Sequence, residues 1–205
     1  MGKSEKVLVT GSSGFLGSHV ADALSNRGFD VILFDSKKSN YKQQGQKEFL
    51  GDIRSFDDVS TAISGCKYVF HYAAQADIGL SNIDPVTTIQ RNINGTQNLL
   101  EVIRKQKIKR LVFASTIYVY SELGSFYRVS KQACEKLIEE YNKQFSVQYT
   151  ILRYGSLYGP RANKFNFINN MLNQAIKHNK IERRGNGEEI REYIHVKDAA
   201  TISLN

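Results

Sequence analysis

Lys6-Val7-Leu8-Val9-Thr10-Gly11-Ser12-Ser13-Gly14-Phe15-Leu16-Gly17 is the stretch on which the reading of this chain turns. Residues 6–10 form a short apolar run, as a buried strand does. Residues 15–27 carry Phe15, Leu16, Val20, Ala23 and Leu24 at helical spacing, and Gly28 closes that helix. The turn between them is rich in glycine. Glycine lets backbone approach an anion closely, and the following helix aims its unpaired N–H groups and the positive end of its dipole at the same point.

Outward from this unit the same alternation repeats. Short apolar runs at 31–34, 47–50 (weaker), 68–71, 111–115 and 148–152 read as strands. Helices are expected from Ser55, with Asp58 three residues on as a capping box, over 86–107, and over 127–144. In the second of these Ile89, Ile93, Leu99, Leu100 and Ile103 are placed inward. Alternating strands and helices from 6 to 152 predict an α/β fold, a doubly wound parallel sheet covered on both faces. Residues 37–46 are the most polar, loop-like stretch, and no internal repeat is present. After Gly159-Pro160 the texture changes to an Asn-rich helix at 165–178, a short strand at 189–195, and a last helix in which the sequence stops at Asn205. The change of texture places a boundary at 160, between 1–160 and 161–205.

In the strand–turn–helix context the glycine turn reads as a dinucleotide pyrophosphate loop. Asp35 ends the second strand 18 positions after Gly17. A carboxylate there accepts from both ribose hydroxyls and repels a 2′-phosphate, which favours NAD over NADP. Lys37 and Lys38 follow closely and temper that preference.

Composition removes several classes. The chain carries 28 Lys and Arg against 20 Asp and Glu, a net charge of +8, and 41% of its residues are hydrophobic, enough for a folded core. The basic clusters at Arg104, Lys105, Lys107, Lys109, Arg110 and at Lys177, Lys180, Arg183, Arg184 permit a nucleic-acid reading. The first begins at a helix C-terminus, where cations suit the dipole, and no aromatic residue is interleaved in it. A small anionic ligand such as a nucleotide suits the charge equally well. The two cysteines, Cys66 and Cys134, have no partner at metal-ligand spacing and do not make a disulfide framework, so no metal site is expected. No apolar run reaches the ~18 residues of a membrane span, and the charged N-terminus leaves no room for a signal peptide. A reducing cytoplasm is the expected location.

Nine matches occur in order. They are the Thr10–Gly17 loop, Gly51-Asp52-Ile53-Arg54, His71-Tyr72-Ala73-Ala74-Gln75-Ala76, Asn92-Ile93-Asn94-Gly95-Thr96, Ser115-Thr116, Tyr127-x-x-x-Lys131, Leu152-Arg153-Tyr154, Tyr158-Gly159-Pro160-Arg161 and Arg191-Glu192-Tyr193-Ile194-His195-Val196. Together they resemble the extended short-chain dehydrogenase/reductases, the NAD-dependent nucleotide-sugar epimerase/dehydratase family, over nearly the whole chain. The resemblance implies a Rossmann-like NAD-binding domain over 1–160 and a small, partial substrate-binding lobe over 161–205 that looks truncated, since the family continues beyond Asn205. It implies NAD as cofactor, held by Gly11, Ser13, Gly14, Phe15, Leu16 and Gly17, by Asp35, by Asp52 and Ile53 at the adenine, and by Tyr72, Ala73, Ala74 and Gln75 along the pyrophosphate and ribose. Asn92, Ser115, Lys131 and Tyr154 complete that set. Thr116, Tyr127, Ser156, Asn166 and Arg191 are the implied substrate contacts, with Arg191 gripping the diphosphate as a guanidinium fork can.

Tyr127 and Lys131 stand i, i+4 on one helix face. A phenol of pKa ~10 is a poor base at neutral pH, and a nearby ammonium together with an oxidised nicotinamide favours the phenolate. Thr116, Tyr127 and Lys131 are thus the candidate catalytic residues. His71 and His195 read as structural, and both cysteines read as core residues. The reaction implied is 4-epimerisation of a nucleotide sugar, first a UDP-sugar, through a transient 4-keto sugar. Ile117 and Tyr118 follow the Thr where the dehydratase branch has an acidic pair, and the glutamate of the decarboxylase branch is missing too, so epimerase is favoured by absence.

The sequence departs from the pattern in two further places: Thr116 and Tyr127 are only 11 positions apart, and Ser156 replaces the usual Asn. Two alternatives stay open, an NAD(P)-dependent dehydrogenase or reductase of another sugar or alcohol, and a catalytically incomplete NAD-binding protein. The family also implies a homodimer through the helices at 86–107 and 127–144.

Overall fold

The computed structural model describes residues 4–182, 186, 188 and 190–205. Its chain runs β1 (Lys6–Thr10), α1 (Phe15–Asn26), β2 (Asp30–Asp35), β3 (Lys47–Leu50), α2 (Phe56–Ala62), β4 (Tyr68–His71), α3 (Ile78–Ile83), α4 (Pro85–Ile89), a π-helical turn (Gln90–Asn94), α5 (Gly95–Gln106), β5 (Arg110–Thr116), a 3-10 turn (Ile117–Tyr120), α6 (Ser125–Phe145), β6 (Tyr149–Tyr154), β7 (Ser156–Tyr158), α7 (Phe167–His178), β8 (Tyr193–His195) and α8 (Val196–Ile202). The first six strands form one sheet in the order β3-β2-β1-β4-β5-β6, every pair parallel. That is a doubly wound sheet whose order reverses between β1 and β4, so the strand ends there open a crevice.

The alternation of side chains along β1 explains the two cores. Leu8 points to one face, with Ile32, Phe34, Leu99, Phe113 and Ile138, beneath α2, α5 and α6. Val7 and Val9 point to the other, with Val20, Leu24 and Leu33, beneath α1 and α8. Burial of both faces accounts for strands that read as unbroken apolar runs. Ser55 caps α2 by accepting from the Asp58 N–H, as the capping pattern predicts.

Four elements differ from the sequence expectation. The helix expected over 86–107 is broken into α4, the π turn and α5. Within it Thr88, Asn92 and Thr96 are buried, whereas Ile89 and Ile93 are only half-buried. Polar groups that hydrogen-bond inside the protein fill the inward positions around the π turn, so the apolar count falls short at Ile89 and Ile93, whereas Leu99, Leu100 and Ile103 are buried as expected. Helix α3 was not anticipated; the Asp77 carboxylate caps it by accepting from the Leu80 N–H. The strand expected at 189–195 is reduced to β8, with Glu189 outside the described residues, as are Arg183 and Arg184 of the second basic cluster. β8 pairs in parallel with β7, which lies before residue 160, and the two make a small second sheet. Arg161 donates to Asp22 of α1 at 2.7 Å and tethers the segment after Pro160 to the first helix.

Among the described residues no helix is long and apolar enough to cross a membrane, and no group of three or more His, Cys, Asp or Glu is placed to hold a metal ion.

Candidate active site

The glycine turn leaves β1 and passes under the end of β4. Gly11 has φ +69°, and a Cβ there would lie 2.5 Å from the Ala73 nitrogen. A Cβ on Gly17 would lie 2.2 Å from the Gly11 carbonyl oxygen. Both positions therefore require glycine on steric grounds alone. Gly14 is the N-cap of α1 and gives it no side-chain cap. The first N–H groups of α1, at Phe15 and Leu16, thus lack a side-chain acceptor, which is the arrangement an anion completes. Asp35 ends β2 and accepts from the backbone N–H of Ser13 at 3.0 Å and of Lys37 at 3.2 Å. Its carboxylate is therefore fixed across the mouth of the turn.

Beyond β3, Asp52 is held by Arg54 through both carboxylate oxygens, with Nε at 3.0 Å from each and the backbone N–H of Arg54 at 2.9 Å from Oδ1. Hydrogen bonding from Arg54 holds this carboxyl below its usual range. The two residues line a cleft of about 520 Å³ with Ser55, Gln90, Asn94 and Asn98. Ile53 is buried against Gly95, where a Cβ would meet it at 2.8 Å.

The segment after β4 is positioned from within. The Asn92 amide accepts from the Gln75 N–H at 2.7 Å and donates to the Gln75 carbonyl at 3.1 Å and to Ser130 Oγ at 2.8 Å. The Asn92 carbonyl in turn accepts from Thr96 Oγ1 and Cys134 Sγ, at 2.6 and 3.1 Å. Every polar atom of the Asn92 side chain is thus engaged with protein, so it orders the 72–75 segment instead of facing outward. His71 sits below, fully buried, between Thr10 Oγ1 at 2.6 Å and Thr96 Oγ1 at 3.1 Å. Burial pushes its imidazole down to about 3, so it is neutral and structural.

At the end of β5 three consecutive residues meet α6. The Ala114 carbonyl accepts from Lys131 Nζ at 2.7 Å. Ser115 Oγ donates to the buried Glu135. Thr116 Oγ1 accepts from the Tyr118 N–H at 3.3 Å and lies beside the Tyr127 phenol. Burial pushes the Tyr127 phenol up to about 12, with Thr116 acting in the opposite direction. The expected lowering by Lys131 is not found, because Nζ lies 5.9 Å from the Tyr127 ring centroid and is turned to Ala114. Burial also brings Lys131 down to about 8, while Cys134 and Glu135 act to raise it. Its Nζ lies 4.6 Å from the centre of the Phe113 ring.

Tyr154 ends β6, with its hydroxyl 2.6 Å from Ser203 Oγ and 3.5 Å from the Tyr72 hydroxyl. Burial raises both phenols. The three substrate-side residues lie further out. Asn166 caps α7, accepting from the Asn169 N–H at 3.1 Å and donating to the Leu157 carbonyl at 2.7 Å. Ser156 pairs with Tyr193 in the small sheet, and Arg191 is exposed with its guanidinium 5.9 Å from the centre of the Phe167 ring.

The model of the NAD-dependent epimerase/dehydratase family matches residues 7–204. The chain belongs to that family. A putative UDP-glucose 4-epimerase of Methanocaldococcus jannaschii is 33% identical to it over 97% of this chain and 72% of its own length. A UDP-glucose 4-epimerase of Thermotoga maritima solved with UDP-glucose superposes with a TM-score of 0.92 at 29% identity, covering 97% of this chain and 72% of that one. The enzyme of the same description from Thermus thermophilus, solved with NAD, gives 0.88 at 31% identity, covering 97% and 73%. The matched relatives also include a CDP-paratose 2-epimerase of Salmonella typhi and a UDP-glucuronic acid decarboxylase of Arabidopsis thaliana.

NAD is the cofactor of this epimerase/dehydratase family, and the residues present fit it. Gly11 and Gly17 form a cradle that a Cβ would fill, the first turn of α1 is uncapped, and Asp35 faces the same crevice. The sequence reading missed two residues of the site. Glu135 and Arg153 form a bidentate pair at 3.0 and 2.7 Å directly behind Ser115. A glutamate one helical turn after Lys131 was the available signal, but its partner lies on another strand.

Proposed function

We propose that this chain is an NAD-dependent 4-epimerase of a nucleotide sugar, with a UDP-hexose as the first substrate to test. The observation that carries this reading is the meeting of Thr116, Tyr127 and Lys131 at the C-terminal edge of the sheet that also bears the uncapped glycine turn. Bound NAD supplies hydride acceptance from C4 and its return. Tyr127 exchanges a proton with the sugar O4, and Thr116 supplies a second hydrogen bond to the same oxygen. Tyr127 is protonated over the neutral range, so it is ready to donate to a 4-keto oxygen. Its base role needs positive charge near the phenol, which oxidised NAD would supply when bound. Arg191, exposed beside Phe167, is assigned to the diphosphate, and Asn166 and Ser156 to the wall beside it. Ile117 and Tyr118 carry no carboxylate that could drive elimination of water. Val86 of α4 and Val129 of α6 are exposed, which supports a homodimer through these helices, and the two free buried cysteines suit a cytoplasmic setting.

Incubation with NAD and UDP-glucose should yield UDP-galactose with no net reduced nicotinamide. Tyr127→Phe should lower that rate by about 10²–10⁴-fold while leaving NAD affinity within threefold. Turnover that survives Tyr127→Phe would remove the mechanism, and accumulation of reduced nicotinamide would make the chain a dehydrogenase instead.

A further inference from the structure

Directly behind the Thr116–Tyr127–Lys131 group lies an ion pair, buried at Glu135 and exposed at Arg153, to which no role has been given. Glu135 is only 5% exposed, and it stands one helical turn beyond Lys131 on α6. Its carboxylate accepts from Arg153 Nε at 3.0 Å, from Arg153 Nη2 at 2.7 Å and from Ser115 Oγ. Ser115 and Arg153 are register partners on β5 and β6, so the pair ties one turn of α6 to two strands at once. Arg153 also donates to the Tyr120 hydroxyl, which links the pair to the 3-10 turn that follows Thr116. Burial alone would raise the Glu135 carboxyl, but hydrogen bonding from Arg153 and Ser115 outweighs it and brings the group below its usual range.

We propose that Glu135, held by Arg153 and Ser115, is the positioning residue of this site: it fixes the turn of α6 that carries Lys131 against the ends of β5 and β6, and its negative charge holds Lys131 as an ammonium. The inference rests on the reading of Tyr127 and Lys131 as the reacting pair. An ion pair with one solvent-exposed partner contributes little stability, so its presence beside a working ammonium points to geometry and charge as its role. Cys134 and Glu135 both act to raise Lys131, and of the two Glu135 is the one held below its usual range and therefore charged near neutrality. On α6 itself Tyr127 and Cys134 are both pushed up by burial and are uncharged near neutrality. From β4, His71 faces Lys131 as a neutral imidazole. From β5 come the Phe113 ring and the Ala114 carbonyl, neither of which titrates. From β6, Arg153 lies on the other side of the Glu135 carboxylate.

The test is an NMR titration of Lys131 in the full chain with labelled lysine, its signal assigned by loss in Lys131→Arg. Removing the anion in Glu135→Gln should lower the Lys131 midpoint by half a pH unit or more. Removing the cation in Arg153→Gln should raise it. A residue serving only as a structural tie would not move the midpoint in opposite directions. A fall of less than half a unit in Glu135→Gln, or a fall in both variants, overturns the proposal. Should Glu135→Gln fail to fold, Arg153→Gln carries the test alone: a rise supports the proposal and no rise overturns it. With UDP-glucose and NAD, the alkaline limb of kcat should follow the same midpoint while KM stays within twofold. If the wild-type chain turns over no nucleotide sugar, the epimerase reading fails, yet the titration still decides the role of Glu135.

Discussion

A single added carbon at Gly17 would meet the Gly11 carbonyl oxygen at 2.2 Å, a distance that only movement of the turn could relieve. Gly17→Ala should therefore cost roughly 1–3 kcal/mol in urea unfolding and weaken NAD binding by calorimetry. Unchanged values for both would show that the turn can shift freely. This residue was legible in advance, because a glycine turn at a fixed place between strand and helix has one steric meaning. Asp35 was legible as the residue that ends the second strand. The state of Tyr127 was not: a Tyr and a Lys four residues apart suggest a lowered phenol, whereas burial by segments distant in sequence raises it. Glu135 and Arg153 also escaped notice, since no local spacing links a helix residue to one on β6.

Among the elements, the π turn between α4 and α5 shapes the crevice most. It turns Asn92 inward, where its side chain grips the backbone of Gln75 and the hydroxyl of Ser130. A π turn inserts one extra residue into the helical repeat, and a 3.6-residue periodicity read across 86–107 cannot register it. Asn92→Ala would leave the Gln75 N–H and carbonyl without these partners, which should cost roughly 1–3 kcal/mol. Hydrogen exchange should quicken at the Gln75 amide while the amides of β1 stay protected. Equal loss of protection throughout would mean that Asn92 supports the whole fold and not this segment. The regular elements were easier to anticipate, because β1, β2, β4 and β5 are short apolar runs buried on both faces.

At the scale of the whole molecule, His71 couples stability to pH. Its folded value of about 3 lies below the ordinary 6.5, so the unfolded chain takes up the proton first. The contribution of neutral His71 is complete above pH ~6.5 and is lost progressively as pH falls toward ~3. Urea unfolding should therefore show about 2 kcal/mol less stability at pH 5 than at pH 7 from this residue, with His19, also lowered by burial, adding in the same direction. His71→Gln should be less stable at pH 7 but should lose a large part of that slope. A slope identical to wild type would assign the acid sensitivity to other groups.

The contacts of Ala114, Ser115 and Thr116 with Lys131, Glu135 and Tyr127 have an evolutionary consequence. Three adjacent strand positions match three helix positions spaced by one turn. Substitutions on the exposed face of α6 can drift, but a one-residue deletion between 127 and 135 rotates everything beyond it by about 100° and breaks the match. Descendants of this chain are thus free to change letters in α6 more readily than to change its count. Alignment gaps should collect in the connection between 117 and 124 and avoid the eight steps that follow Tyr127.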